Sequence, residues 1–264
     1  MRRPEPGAAA GDDGAIRFAR YAYPPNALGL CGPDDYGALL EYGAGGISDG
    51  GLQQLARCFE GAWPYLELIA GANGIDDPLD ARVVEAYWTG NSLLAGVTPL
   101  VLGSSLEERF RGPAGRDWSR LAAAIPHAPL PHHGFHVFAV YPWTGLLRSG
   151  AAGEALRVLD RCRIRWGSVV SVESATAVVR SRPLRWDGCK LSLDASVPET
   201  AITADRGYGL AGPIAPGDHV ALHWDWVCER LTPARLRWLR RLTASQLDLV
   251  NGRLAHSPAA AVLG

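Results

Sequence analysis

The spacing of hydrophobic positions changes near residue 160 of this chain. Between about residues 34 and 161, apolar side chains recur every three or four positions, as at Leu52, Leu55 and Phe59, which is the period of one buried helix face. After Cys162 the period shortens to two, which is typical of β-strands. The pattern therefore predicts a helical part followed by a strand-rich part.

Capping residues predict where helices start in the first part. Ser48 or Asp49 precedes a predicted helix that runs to Trp63. Asp77–Pro78 offers an N-cap and a first-turn proline for a helix that ends near Trp88. Further short helices are predicted at residues 104–111, 117–124 and 153–161.

Short strands follow one another closely in the second part. A small flat sheet of such strands would leave exposed edges, so the segment favours a closed or nearly closed barrel. Thr232–Pro233 then caps a final helix that runs through Val250. The strands are predicted at residues 169–172, 176–179, 190–193, 201–204 and 219–224.

These patterns predict an α+β protein in three segments. Residues 1–22 mix proline, glycine, alanine and charged residues without a period, which predicts a flexible leader. Residues 23–160 are expected to form an all-helical domain of unknown role. Residues 161–264 are expected to form a small OB-like β-barrel with a C-terminal helix.

Composition narrows the classes of partner and the compartment. The 26 Lys and Arg residues balance 27 Asp and Glu residues, so no global basic surface predicts binding to nucleic acid or to an anionic membrane. No apolar run approaches the roughly 18 residues of a membrane span, and the first residues lack the apolar stretch of a signal peptide, so a cytoplasmic protein is expected. The five cysteines are widely spaced without a CxxC pair, which argues against a disulfide framework and a four-thiolate zinc site.

Two segments of the strand-rich part carry candidate chemistry. Cys162 enters the first strand five residues before a glycine, in Cys162-Arg-Ile-Arg-Trp-Gly-Ser-Val-Val. A Gly-Asp turn feeds the strand Gly217-Asp-His-Val-Ala-Leu-His223, which ends in histidine. These segments resemble the HypC/HupF family, small barrel chaperones of nickel–iron hydrogenase assembly, over about residues 160–252. The positions that match the family pattern are Cys162, Gly167, Gly217, Asp218, Val220, His223 and Leu231.

The resemblance implies a function in hydrogenase maturation. In that family the cysteine and the histidine hold an iron atom that bears cyanide and carbon monoxide. The family passes this iron from a HypD-type assembly protein to the hydrogenase large-subunit precursor. Cys162 and His223 are therefore the expected iron contacts of an assembly chaperone rather than a turnover enzyme. The family cysteine follows the initiator Met, whereas Cys162 is internal.

The neighbours of this pair suggest supporting roles. The guanidinium groups of Arg161, Arg163 and Arg165 are expected to favour the Cys162 thiolate. Trp224 and Trp226 stand two residues apart and are predicted to share one strand face. With Trp166 they form either a partner-docking surface or a packed aromatic face.

Two alternative functions belong to other classes. His132, His133 and His136 cluster in the helical part, with His132 and His136 one helical turn apart. With Glu67 or Glu85 as a carboxylate ligand, they would make a metalloenzyme whose barrel is regulatory. The third hypothesis is a metal-free protein-interaction module. A sulfur-to-imidazole distance within about 5 Å for Cys162 and His223 would suit two ligands of one metal.

Overall fold

The computed structural model describes residues 13–114 and 130–256 as a mixed α/β fold. In these two ranges the regular elements up to Cys162 are helical and strands begin at Arg165, so the predicted change near residue 160 is confirmed. The helices are α1 (Gly14–Ala27), α2 (Tyr36–Gly45), α3 (Gly50–Arg57), α4 (Trp63–Ala72), α5 (Ala81–Trp88), α6 (Pro99–Ala114), α7 (His133–Phe135), α8 (Trp143–Leu146), α9 (Ala152–Cys162) and α10 (Pro233–His256), with a 3-10 turn at Ser92–Gly96 and a π-helical turn at His136–Val140.

Nine strands follow α9 in the described part of the chain, and five of them form one sheet. Its order is β1-β2-β5-β9-β8, and β8 also pairs with β1, so the pairings run round a closed ring. The link between β5 and β9 is a single parallel pair, Ile202 with Trp226, and all the other pairs in the ring are antiparallel. The strands are β1 (Arg165–Glu173), β2 (Thr176–Ser181), β3 (Leu184–Trp186), β4 (Leu191–Leu193), β5 (Val197–Ile202), β6 (Ala204–Asp205), β7 (Tyr208–Gly209), β8 (His219–His223) and β9 (Trp226–Arg230).

The largest hydrophobic core crosses the boundary between helices and strands. Side chains of α1, α4 and α5 pack together with Ala221, Trp226 and Cys228 of the sheet. Leu236 and Leu239 of α10 belong to the same core. The boundary near residue 160 therefore marks a change of secondary structure within one packed body.

The expected leader contains a buried helix. α1 covers residues 14–27, and the side chains of Phe18 and Tyr21 are fully buried. The Asp13 carboxylate accepts a hydrogen bond from the Ile16 amide at 3.1 Å and so caps the helix. The prediction is wrong for residues 13–22, because a buried arginine, Arg17, and two prolines obscure the apolar pattern of this helix. Residues 1–12 lie outside the described part of the chain.

Helix boundaries also differ from the predictions. The helix expected to run to Trp63 is two helices, α3 and α4, although Asp49 does cap α3. α5 is capped by Asp80, whose carboxylate accepts from the Arg82 amide at 2.8 Å, and not by Asp77. The predicted helices at 104–111 and 153–161 lie within α6 and α9, whereas the one at 117–124 falls outside the described residues.

The aromatic face predicted beyond His223 does not form. β8 ends at His223, and Trp224 adopts a positive φ of 52° in a two-residue turn, so His223 pairs directly with Trp226. The two tryptophans are 5% and 7% exposed, and they do not form an exposed docking surface. β9 was not predicted, because its first four residues are all buried and show no alternation.

Trp166 is half-buried and packs against the largest core. It therefore belongs with the packed aromatic side chains rather than with an exposed docking surface. Within the described residues, none of the helices is long and apolar enough to cross a membrane.

Candidate metal centre

Three metal-ligating side chains converge where the helices meet the sheet. One donor atom each from His133, Cys162 and His223 lies within 4.8 Å of the other two. They come from α7, the last residue of α9 and the last residue of β8. The predicted proximity of Cys162 and His223 is confirmed, and His133 joins them from the cluster that had been assigned to a separate site.

Backbone hydrogen bonds tie the three elements together. The His133 Nε2 atom lies 2.7 Å from the Cys162 carbonyl oxygen. The Trp224 amide, next to His223, donates to the Arg161 carbonyl at 2.8 Å. Arg165 donates to the Trp224 carbonyl in turn. The end of α9, the β8–β9 turn and α7 are therefore held as one unit.

The His223 side chain offers a lone pair to this cluster. Its ring is fully buried, and Nδ1 lies 2.6 Å from the Tyr21 carbonyl oxygen. Because a carbonyl only accepts, Nδ1 carries the proton and the lone pair is on Nε2. No residue in the described ranges makes a hydrogen bond to Nε2. Burial, followed by the nearby His133, lowers the pKa of His223 well below its usual value, so the ring is neutral at pH 7.

His133 has the complementary arrangement. Its Nε2–H donates to the Cys162 carbonyl, which leaves the lone pair on Nδ1, 3.4 Å from the Tyr87 hydroxyl group. Burial lowers the pKa of His133 to about 4. Both imidazoles are thus neutral and are oriented through a backbone carbonyl, as metal-ligating histidines usually are.

The half-buried Cys162 carries a thiol rather than a thiolate in the metal-free chain. Burial, and next the neighbouring Cys31, raise its pKa to about 12. The expectation that three arginines favour the thiolate is wrong, because carboxylates already pair with them. Arg161 binds Glu199 and Asp225 at 2.9 Å, Arg163 binds Asp160 at 2.8 Å, and Arg165 binds Glu199.

The cluster opens into a cavity of about 250 Å³. Its lining includes the buried His133 and His223 as well as the exposed Leu30 and Pro142. No charged side chain is among the described residues that line it. The lining residues are Ala22, Pro25, Leu30, Cys31, Phe59, Gly61, Ala62, Tyr87, Trp88, His133, His136, Tyr141, Pro142, Trp143, Val158, Cys162, His223 and Trp224.

The alternative site built on three histidines of the helical part is not assembled. His132 accepts a hydrogen bond from the Gly134 amide at 3.0 Å through Nδ1 and so caps α7. His136 lines the cavity, but its ring packs between Tyr65 and Tyr141, at centroid distances of 5.6 and 4.4 Å.

The two carboxylates that were predicted as ligands of that alternative site bind other side chains. Glu67 accepts from the Trp63 indole at 2.7 Å, and Glu85 pairs with Arg235 at 2.6 Å. Of the predicted histidine cluster, His133 alone enters the group of three donors.

The fold and the site define a mixed α/β protein with a cluster of one half-buried thiol and two buried imidazoles at an apolar cavity. Thiolate and imidazole donors suit iron, zinc, copper and nickel. The chain belongs to the family of unknown function DUF6390, whose model matches residues 10–257. No curated protein and no solved structure matches it.

Proposed function

We propose that this protein binds a transition-metal unit through Cys162, His223 and His133 and acts in the assembly of a metal centre. The observation that carries the proposal is the convergence of these three donors within 4.8 Å at a carboxylate-free cavity. An imidazole nitrogen that is fully buried and has no hydrogen-bond partner in the described chain is costly unless something binds it. A metal ion satisfies that atom.

The cargo that suits this cavity is iron with small diatomic ligands. Three protein donors leave the remaining coordination positions of an iron ion open toward the cavity. A divalent ion and one thiolate would leave a positive charge among uncharged side chains, which is unfavourable. Cyanide is anionic and would compensate that charge, and carbon monoxide tolerates apolar surroundings.

The resemblance of Cys162–Val170 and Gly217–His223 to the HypC/HupF family supports the same function. We therefore assign the chain to nickel–iron hydrogenase maturation, between a HypD-type assembly protein and the large-subunit precursor. The ring of five strand pairs, with α10 following it, supports describing this part as an OB-like barrel. In this chain the helices supply a third donor, His133, and the internal Cys162 has no free amine.

Infrared spectroscopy of the iron-loaded chain tests the cargo. Full-length protein co-expressed with a HypD-type protein is expected to show bands of iron-bound cyanide and carbon monoxide. Cys162→Ala and His223→Ala should each abolish the bands. Cys189→Ala, at an exposed thiol, and His219→Ala, on the same strand as His223, are matched controls that should keep them. Bands that persist in Cys162→Ala would contradict the proposal.

A second experiment tests the partners. The full-length chain, purified through a tag, is expected to retain a hydrogenase large-subunit precursor. A precursor captured equally well by the wild type and by Cys162→Ala would make the chain a metal-free interaction module. Binding that requires Cys162 supports transfer of the metal unit between the two proteins.

A further inference from the structure

A second thiol lines the same cavity. Cys31 lies on the turn between α1 and α2, next to the exposed Leu30, which also lines the cavity. It is half-buried and is not one of the three donors that lie within 4.8 Å of one another. Cys31 and Cys162 nevertheless line the same cavity.

The turn that carries Cys31 is fixed against the helical core. The buried Asn26 side chain donates to the carbonyls of Cys31 and Pro33, at 2.7 and 2.6 Å. Gly32 has a φ of 83°, and a Cβ atom there would lie 2.4 Å from the Phe59 ring. These contacts hold the Cys31 thiol at the cavity and not on a free surface loop.

Charge balance gives this second thiol a role. A divalent cation bound by Cys162 and two neutral imidazoles keeps one net positive charge in an uncharged cavity. No carboxylate among the described lining residues can compensate it. A second thiolate makes the complex neutral, and thiolate ligands match the softness of iron, zinc and cobalt.

We infer that Cys31 is the second thiolate ligand when the cavity holds a bare divalent cation, alongside Cys162, His133 and His223. The inference rests on the proposed metal-binding function. On binding, the S–H bonds of both cysteines break and two metal–sulfur bonds form. Both protons pass to solvent, and no oxidant is required. Both thiols are protonated near neutral pH, as cysteine thiols are unless a neighbouring cation stabilises the thiolate.

Proton release during cobalt binding tests the inference. When Co²⁺ is added to the reduced full-length chain at pH 7, about two protons per cobalt ion are expected, and about one from Cys31→Ser or Cys31→Ala. The neutral histidines add none. The absorbance of the thiolate-to-cobalt charge transfer should fall by about half in both variants. Cys189→Ser is the matched control and should behave as the wild type.

The outcomes separate this inference from the function on which it rests. One proton per cobalt ion in the wild type, unchanged in both Cys31 variants, would overturn the inference and leave the metal site intact. Failure of the wild type to bind cobalt would instead count against the proposed function. Melting curves of the variants without metal establish that each is folded, and an unfolded Cys31→Ser leaves Cys31→Ala to decide.

Discussion

Helix α1 organises two buried polar regions that differ in how their groups are satisfied. Four residues apart on this helix, Arg17 serves one region and Tyr21 the other. The Arg17 guanidinium lies 3.2 Å from Glu229 and donates to the Ala81 carbonyl at 3.1 Å, whereas the Tyr21 carbonyl binds His223. The charges of the first region are paired within the chain, and the donors of the second are neutral and face a cavity.

Because one region pairs its charges and the other leaves neutral donors facing a cavity, the first should stabilise the fold and the second should bind a ligand. Glu229 is 95% buried within reach of Arg17 and Arg235, and this pairing is what makes its burial tolerable. Around Cys162 and His223 the groups need no counter-charge in the metal-free chain, because burial keeps both uncharged. We therefore expect substitutions in the first region to change stability, and those in the second to change metal affinity.

The largest expected effect is the loss of Arg17. Arg17→Ala should destabilise the fold by about 3–5 kcal/mol, because it leaves Glu229 buried beside fewer positive charges. Urea denaturation measures this change. Arg82→Ala, which removes an exposed pair with Asp80, is the control and should leave the urea midpoint almost unchanged. Equal losses in the two variants would show that the Arg17 region is not the stabilising one.

The converse substitution is Cys162→Ala. It should weaken zinc or cobalt binding by more than about 100-fold, since a lost ligand costs more than a lost supporting residue. Its free energy of unfolding without metal should fall by less than about 2 kcal/mol, because only a sulfur atom beside an existing cavity is removed. Competition with a chromophoric chelator measures the affinity. A variant that binds metal normally would remove Cys162 from the site.

The sequence predicted the two site residues that belong to short sequence motifs. Cys162 and His223 stand at fixed offsets within two segments, and those segments become the paired strands β1 and β8. His133 was noticed, but it was grouped with His132 and His136 because sequence spacing relates neighbours and says nothing about the distant sheet. The spacing of these histidines gave no indication that α7 meets the ends of α9 and β8.

The contribution of α1 could not be predicted from periodicity. Its buried face includes Arg17, which reads as a solvent-exposed position until its partners on α5 and β9 are known. The Tyr21 group that orients His223 is a backbone carbonyl, which has no signature in sequence. Cys31 likewise reaches the cavity only because α1 is folded where a leader had been expected.

Stability should depend on pH through the buried histidines. Burial lowers the pKa of His132 to about 3 and that of His133 to about 4. The unfolded chain binds protons near pH 6.5 and the native chain does not, so the metal-free protein should lose stability as pH falls from about 6.5 toward 4. Each histidine contributes up to about 1.4 kcal/mol per pH unit in that window.

His132→Asn isolates one of these contributions. Asparagine keeps an acceptor for the α7 cap and does not titrate, so the slope of stability against pH should be shallower than in the wild type. His219→Asn, at a half-buried histidine, is the matched control. Urea titrations between pH 7 and 5 measure the slopes. Identical slopes for the wild type and His132→Asn would mean that His132 becomes protonated in the folded chain.

The smallest expected effect concerns the cap of α1. Asp13→Ala removes the acceptor of the Ile16 amide and should cost about 1 kcal/mol, whereas Asp13→Ser keeps an acceptor and should cost less. Because α1 carries both Arg17 and Tyr21, fraying from this cap reaches the Arg17 region first. Stability should therefore fall while cobalt affinity changes by less than about twofold. If the free energy of cobalt binding fell by more than the free energy of unfolding, the first turn of α1 would support the metal centre more than it supports the Arg17 region.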